Sequence, residues 1–303
     1  MPNQISFCVP AGGKLAHQVM LVAVRDFAVA NGWTQMRFND AGVDHELILR
    51  APGLSGTEQI FVGLRCYQDA GADYYNLLAG GFTGYVAGNS FDTQPGAMLS
   101  GVPAHNNRID YWLTLNGQRL VLAMKVGTPV YESLYLGKML PYATPGQFPY
   151  PLVCGGMLNG AAATRFSETT HSMPFKGAGT SGTARPGMRL RTVAGAWIQP
   201  WCWPWGGGIL AGISGSGADR VLRDTDGRYP LLPVVLHDNA GSNSSAFPSV
   251  QGNVYGELDG VHFISGFNNA VENTVVIAGL TYVVIQDVAR TGFADYVAMR
   301  LDP

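Results

Sequence analysis

RIDYWLTLNGQRLVLAMKV, residues 108–126, decides the fold class. Two strand-like runs, Arg108–Leu115 and Gln118–Val126, flank Asn116-Gly117. Asn-Gly between two such runs is the strongest short hairpin signal, because a type I′ turn needs positive φ at both central residues. Gly127-Thr128-Pro129 breaks the chain after the hairpin, and Val130–Leu140 reads as another strand, stopped by Pro141. Upstream, Trp33–Phe38 and His45–Arg50 alternate, and Gln59–Tyr67 is a longer strand. Tyr74–Tyr85 is aromatic-rich, with a bend or bulge expected at Gly80-Gly81. Downstream, Leu231–Leu236, Val254–Ile264, Thr274–Ala278, Thr281–Gln286 and Tyr296–Leu301 read as strands. Gly279-Leu280 marks a second hairpin turn. Gly256–Gly260 marks a third, which would split Val254–Ile264 into two short strands.

One segment reads as a helix, from about Lys14 to Ala30, closed by the Asn31-Gly32 stop signal. Leu15, Val19, Val22, Ala23, Phe27 and Ala30 share a broad stripe, and apolar flanks at Met20, Leu21 and Val24 predict burial on more than one side. The fold class is therefore α+β and predominantly β: one N-terminal helix, antiparallel β-sheet or β-sandwich-like domains, and long Gly/Pro-rich loops. The loop-like stretch Val86–Asn107 suggests a helix-plus-sheet domain over 1–100 and a β-rich, sandwich-like domain over 101–303. Extended loops fill 141–218, a region holding LPYATPGQFPYPL, Gly177–Gly187 and WIQPWCWPWGGG. Long irregular stretches in a compact protein usually bind something or reach towards a neighbour. No fixed-period repeat and no heptad pattern occurs, which argues against propellers, solenoids, fibrous shafts and coiled coils.

Only 13% of the 303 residues are charged, against ~25% in ordinary globular proteins. The 40 glycines exceed the number that average usage would give. A surface short of charge is easier to desolvate against a neighbour, and charged residues are depleted from interface cores, so the composition points towards assembly. The net charge of −2 and the absence of a basic run denser than Arg185–Arg191 give no support for nucleic-acid binding. No segment approaches the ~20 apolar residues of a membrane span. Met1–Val9 has no basic region and no long apolar run, so no export signal is expected and folding in the cytoplasm is. Cys8, Cys66, Cys154 and Cys202 are too far apart for C-x-x-C chemistry, and buried free thiols are expected.

Several motifs resemble chemistry without its context. Gly177–Gly182 matches G-x-G-x-x-G, but a poor strand precedes it and Pro186-Gly187 prevents a helix after it, so a flexible loop is the better reading. Ser214 lacks nucleophile-elbow spacing, and a triad with His237 and Asp238 is a combination that any chain of this size permits. Asp224–Gly227 opens like a calcium loop, but Arg228, Tyr229 and Pro230 replace the later oxygen ligands. The six histidines include no H-x-x-x-H pair. Glu257 and Asp259 are spaced to share one strand face, where solvent exposure or a turn is expected. No catalytic, cofactor-binding or metal-binding residue is assigned. The most unusual local feature is Trp197, Trp201, Trp203 and Trp205. Tryptophans anchor interfaces and their faces suit sugar rings. The same four residues also fit a Pro-shaped loop that packs its indoles into the core.

Two blocks resemble virion structural proteins encoded in the tail-gene clusters of tailed bacteriophages and prophages: residues 110–156 (DYWLTLNGQRLVLAMKVGTPVYESLYLGKMLPYATPGQFPYPLVCGG) and 256–302 (GELDGVHFISGFNNAVENTVVIAGLTYVVIQDVARTGFADYVAMRLD). Residues 45–85 are similar more loosely. The resemblance implies a non-enzymatic particle subunit with no catalytic residues and no cofactor. Its location is the virion, after synthesis in the host bacterial cytoplasm. Tail or baseplate is expected first, a capsid decoration or neck protein second. The implied partners are further copies of the chain and other virion proteins. Two other readings remain open: a module that binds a host-surface glycan or protein through the tryptophans, and a cell-wall or polysaccharide hydrolase.

Overall fold

The computed structural model describes residues 2–42, 44–142, 150–168, 170–178, 187–205, 229–238 and 253–301. The chain opens with strand β1 (Asn3–Cys8) and helix α1 (Ala16–Ala30). Next come β2 (Thr34–Asn39), β3 (Glu46–Ala51), β4 (Ile60–Asp69), β5 (Tyr74–Phe82) and β6 (Met98–Pro103). The segment quoted first supplies β7 (Ile109–Leu115) and β8 (Arg119–Lys125), followed by β9 (Tyr131–Lys138) and β10 (Leu140–Pro141). Short strands β11 (Leu152–Gly155), β12 (Leu158–Asn159), β13 (Arg189–Arg191), β14 (Trp197–Ile198) and β15 (Trp201–Trp203) cross the Pro/Gly-rich region. The C-terminal part holds β16 (Leu232–His237), β17 (Val254–Phe263), β18 (Thr274–Ile277), β19 (Leu280–Gln286) and β20 (Tyr296–Arg300).

These strands form three antiparallel sheets. A central sheet runs β1-β7-β8-β9-β11-β13-β14; a second runs β15-β16-β17-β20-β19-β18, with β10 on β17; a third runs β12-β6-β5-β4-β3-β2. Among the described residues the fold is predominantly β with a single α-helix, as the sequence predicts.

The central sheet is covered on both faces. Every position of β9 is buried, and every position of β8 except Lys125. On one side Val121, Ala123 and Ser133 meet Val261, Ile285, Val297 and Met299 of the second sheet across a seam too tight for a water molecule. On the other side β9 and β11 lie against β4, β5 and β6. Helix α1 packs on β1, β7 and the third sheet. One apolar cluster runs from Cys8 to Leu301. The line expected at residue 100 is crossed by pairing: β1 joins β7, and β6 joins β12.

Polar groups buried with this sheet are paired, as burial in a low dielectric requires. Arg119, fully buried, donates Nη1 to Thr114 Oγ1 at 2.8 Å, and its Nε lies 3.8 Å from Asp259. Asp259 also accepts Asn116 Nδ2 at 2.6 Å and Gln118 Nε2 at 3.1 Å. Lys138 meets Glu58 at 2.6 Å.

The structure corrects several local expectations. The Asn116-Gly117 hairpin forms, but neither residue takes positive φ, so the turn is not type I′. Asn116 Oδ1 instead accepts the N–H groups of Gln118 and Arg119 at 2.9 and 3.1 Å. Gly117 serves close approach: a Cβ there would sit 2.4 Å from the Gly53 carbonyl oxygen. In the second hairpin the turn residues are Ala278 and Gly279, both at positive φ, and Leu280 already pairs with Ile277. β17 is one strand through Gly256–Gly260, accommodated by irregular register against β16. In α1 the deepest positions are Ala16, His17, Met20, Leu21, Val24 and Ala28, whereas Val19, Ala23 and Phe27 pack at the margin. The flanks named for burial are thus its core-facing side. β6 occupies a stretch expected to be loop, and β1 was not foreseen.

Gly137 shows how little slack the central sheet has. It sits at φ +117, and a Cβ would fall 2.2 Å from the Gln118 carbonyl oxygen. Gly137→Ala is expected to cost about 2–4 kcal/mol, from backbone strain and overpacking together. Chemical denaturation of the two proteins checks this; equal midpoints would contradict the packing described.

Candidate functional site

The four tryptophans do not form one patch. Trp197 lies on β14, the edge of the central sheet, and Trp201 and Trp203 lie on β15, the edge of the second sheet. The chain between them crosses from one sheet to the other. Trp197 donates Nε1 to the Gly96 carbonyl at 3.0 Å, and its ring would touch a Cβ on Gly81 at 3.4 Å. The Arg191 guanidinium lies 6.0 Å from that ring. Trp205 is only 5% exposed, packs edge-on against Phe263 at 5.3 Å, and donates Nε1 to the Ala294 carbonyl. Trp205 therefore packs its indole into the core, as the core-packing alternative expects, whereas Trp197 is half-exposed and held at the sheet edge by its bond to Gly96.

Trp201 and Trp203 lie on the edge of the other sheet. Strand alternation puts both on one side of β15 and Cys202 on the other. Cys202 is fully buried, with Sγ 3.8 Å from Met188 Sδ, and both indoles stay half-exposed. The register sets Trp201 opposite His237 and Trp203 opposite Val235, which is opposite Glu257. Tyr142, largely exposed, donates its hydroxyl to Glu257 at 2.8 Å. This face combines two flat aromatic surfaces with a phenol–carboxylate pair, chemistry suited to a partner with both apolar and hydroxyl-bearing faces.

The remaining sequence candidates separate. Asp259 faces the interior beside Arg119 rather than solvent, because β17 turns it onto the central sheet. The Asp238 carboxylate accepts Asn253 and Tyr255 donors, and His237 Nδ1 lies 3.4 Å from the Asp238 main-chain carbonyl, so these two do not form a carboxylate–imidazole relay. Gly177 sits at φ +62 and a Cβ there would fall 2.6 Å from Cys202 Sγ, so both backbone and space require glycine, and Ala178 donates its N–H to the Pro200 carbonyl. Residues 179–186, Ser214 and Asp224–Gly227 lie outside the described residues. All four cysteines are buried and free. Among the described residues no group of three or more His, Cys, Asp or Glu side chains is arranged for a metal ion, and no helix is long and apolar enough to cross a membrane.

Sequence reading missed a buried ionic cluster. Glu132 on β9 and His171 are both fully buried and meet at 2.7 Å. Asp287, also fully buried, accepts Ser172 Oγ at 2.9 Å and the Met173 N–H at 2.8 Å, and contacts Lys176 at 2.8 Å and Arg290 at 2.9 Å. Lys176 reaches Asp295 as well, and Arg290 donates to the His171 carbonyl. The cluster clamps 171–177 between the central sheet and the β19–β20 connection. Burial pushes the Glu132 carboxyl up to about 7, against the opposing pull of His171. These residues are scattered from 132 to 295, and no spacing in the sequence announces them.

No family model matches the chain, and no curated protein is similar to it at a significant level.

Two outcomes follow. Trp205→Ala is expected to destabilise the fold by ~3–5 kcal/mol, the usual range for emptying a buried indole site, and Trp203→Ala by much less; denaturation midpoints decide it, and equal losses would contradict the division. For Glu132, a raised folded-state pKa means that its stabilising contribution is full below about pH 4.5 and is lost as pH rises through about 7. The melting temperature of the native chain should therefore fall relative to that of Glu132→Gln across this window. A difference that does not vary with pH would show that the carboxyl is not held as described.

Proposed function

We propose that this protein is a structural subunit of a bacteriophage particle, most plainly of the tail or baseplate, acting through protein–protein contacts. The observation that carries the reading is the pair of uncharged edge strands with exposed apolar side chains. β1 ends the central sheet with Ile5 57% and Phe7 52% exposed, and β18 ends the second sheet with Val276 68% exposed. Isolated proteins commonly guard such edges with Lys, Pro or bulges. Low charge and the likeness of residues 110–156 and 256–302 to tail-cluster virion proteins support the same reading.

A capsid decoration or neck position uses the same surfaces. A host-surface binding role is favoured by a different observation, the half-exposed Trp201 and Trp203 beside Tyr142 and Glu257. It expects Trp201→Ala with Trp203→Ala to abolish adsorption while particles still assemble. A cell-wall or polysaccharide hydrolase is the least supported alternative.

Purified particles test the proposal. Peptides of this chain in their mass spectrum and immunogold label at the tail end are expected. Label over the head would move the subunit to a decoration or neck position. Absence of both peptides and label, with the epitope accessible, would reject the virion reading.

A further inference from the structure

We propose that β1 is a self-pairing strand: two copies of this chain join β1 to β1 antiparallel about a twofold axis at Ser6, making the central sheets continuous. The inference rests on the subunit reading for its use in assembly, but its test does not require particles.

The free edge follows from the pairing with β7. The Leu115 N–H bonds the Pro2 carbonyl. In an antiparallel ladder hydrogen-bonded pairs alternate. Gln4, Ser6 and Cys8 therefore direct their main-chain groups to β7, and Asn3, Ile5 and Phe7 direct theirs outward. Among the described residues no strand pairs with that edge. Ile5 and Phe7 share a sheet face, both more than half exposed, and the Arg108 guanidinium lies 4.3 Å from the Phe7 ring centroid.

The occupant is a second copy because the strand is complementary to itself. With the axis at Ser6, each Ile5 lies opposite the other copy's Phe7 as a hydrogen-bonded pair. Ser6 faces Ser6, Gln4 faces Cys8, and Asn3 faces Val9. Apolar meets apolar, outward main-chain groups meet outward main-chain groups, and no charge is placed opposite a like charge. A closed, isologous contact of this kind is what twofold symmetry requires. Pro2 and Pro10 bracket the strand, and moving the axis to Ile5 would set Phe7 against Asn3. The other edges are less suited: β2 carries Arg37, paired with Glu46, β12, β14 and β15 are two or three residues long, and β18, though uncharged, has only four residues. One six-residue strand buries far less than the ~1,600 Å² of a standard interface, so the free pair is weak and gains strength from multivalency in an assembly.

Cysteine cross-linking of the purified full chain captures a weak pair. Facing residues in a non-hydrogen-bonded pair have Cα atoms ~4.5 Å apart, within disulfide range. Ser6→Cys under mild oxidation is expected to become mainly a reducible dimer. The native chain, whose four thiols are buried, and Thr34→Cys on the exposed β2 edge should form little disulfide-linked dimer. Adding Phe7→Lys to Ser6→Cys should return cross-linking to the Thr34→Cys level. All substituted positions are exposed, and circular dichroism checks that each variant folds. Cross-linking of Ser6→Cys no greater than that of Thr34→Cys, or a dimer that persists with Phe7→Lys, would overturn the proposal. A chain found in particles that fails this test would leave the subunit reading standing and assign β1 to a different partner.

Discussion

A sheet covered on both faces has no solvent for its polar groups, and that constraint organises this protein. β8 and β9 are buried almost throughout, so Arg119, Glu132 and Lys138 must find partners inside. Each partner comes from a different part of the chain: Asp259 from the second sheet, His171 from the loop region, Glu58 from the approach to β4. Removing one member of such a buried pair typically costs ~3–5 kcal/mol, because the other charge is left uncompensated. The ionic contacts thus specify which layer lies where, and the apolar seams supply most of the burial.

Closing both faces of a sheet leaves its edges. Among the described residues the central sheet ends at β1 on one side and β14 on the other. β14 is short and anchored by Trp197, with Arg191 beside its ring. β1 is longer, uncharged and apolar on its outer face. A low-charge chain whose central sheet has one guarded edge and, among the described residues, one unpaired edge fits the proposed subunit role, in which that sheet would continue into a neighbour. The half-exposed indoles of β15 lie on a different sheet, so adsorption and assembly would use separate surfaces.

Much of the fold was legible because periodicity and turn chemistry are local. The 108–126 hairpin, the helix with its Asn31-Gly32 stop, and the strands from Leu231 onward all follow from short-range pattern. The turn type at Asn116-Gly117 was not legible: Gly117 is needed for the approach of Gly53, in the connection between β3 and β4, which nothing near Gly117 in the sequence reveals. β1 and β6 were missed because Asn3–Cys8 is short and mixed, and Met98–Pro103 carries Gly and Pro inside a stretch of turn residues. Of the candidate site, the tryptophan cluster was visible as composition, but its division into one buried indole and three half-exposed ones on two sheet edges depends on which edge each residue joins. The Glu132–His171–Asp287 cluster had no sequence signal at all, since its members meet only after two sheets and the 171–177 segment have packed.

Amide hydrogen exchange along β1 tests the central claim most directly. In the dilute chain the outward N–H groups of Ile5 and Phe7 should exchange quickly, and those of Ser6 and Cys8, bonded to β7, slowly. Protection of Ile5 and Phe7 that rises with protein concentration, or on incorporation into particles, is the result this account predicts. Fast exchange at both positions under every condition would contradict it.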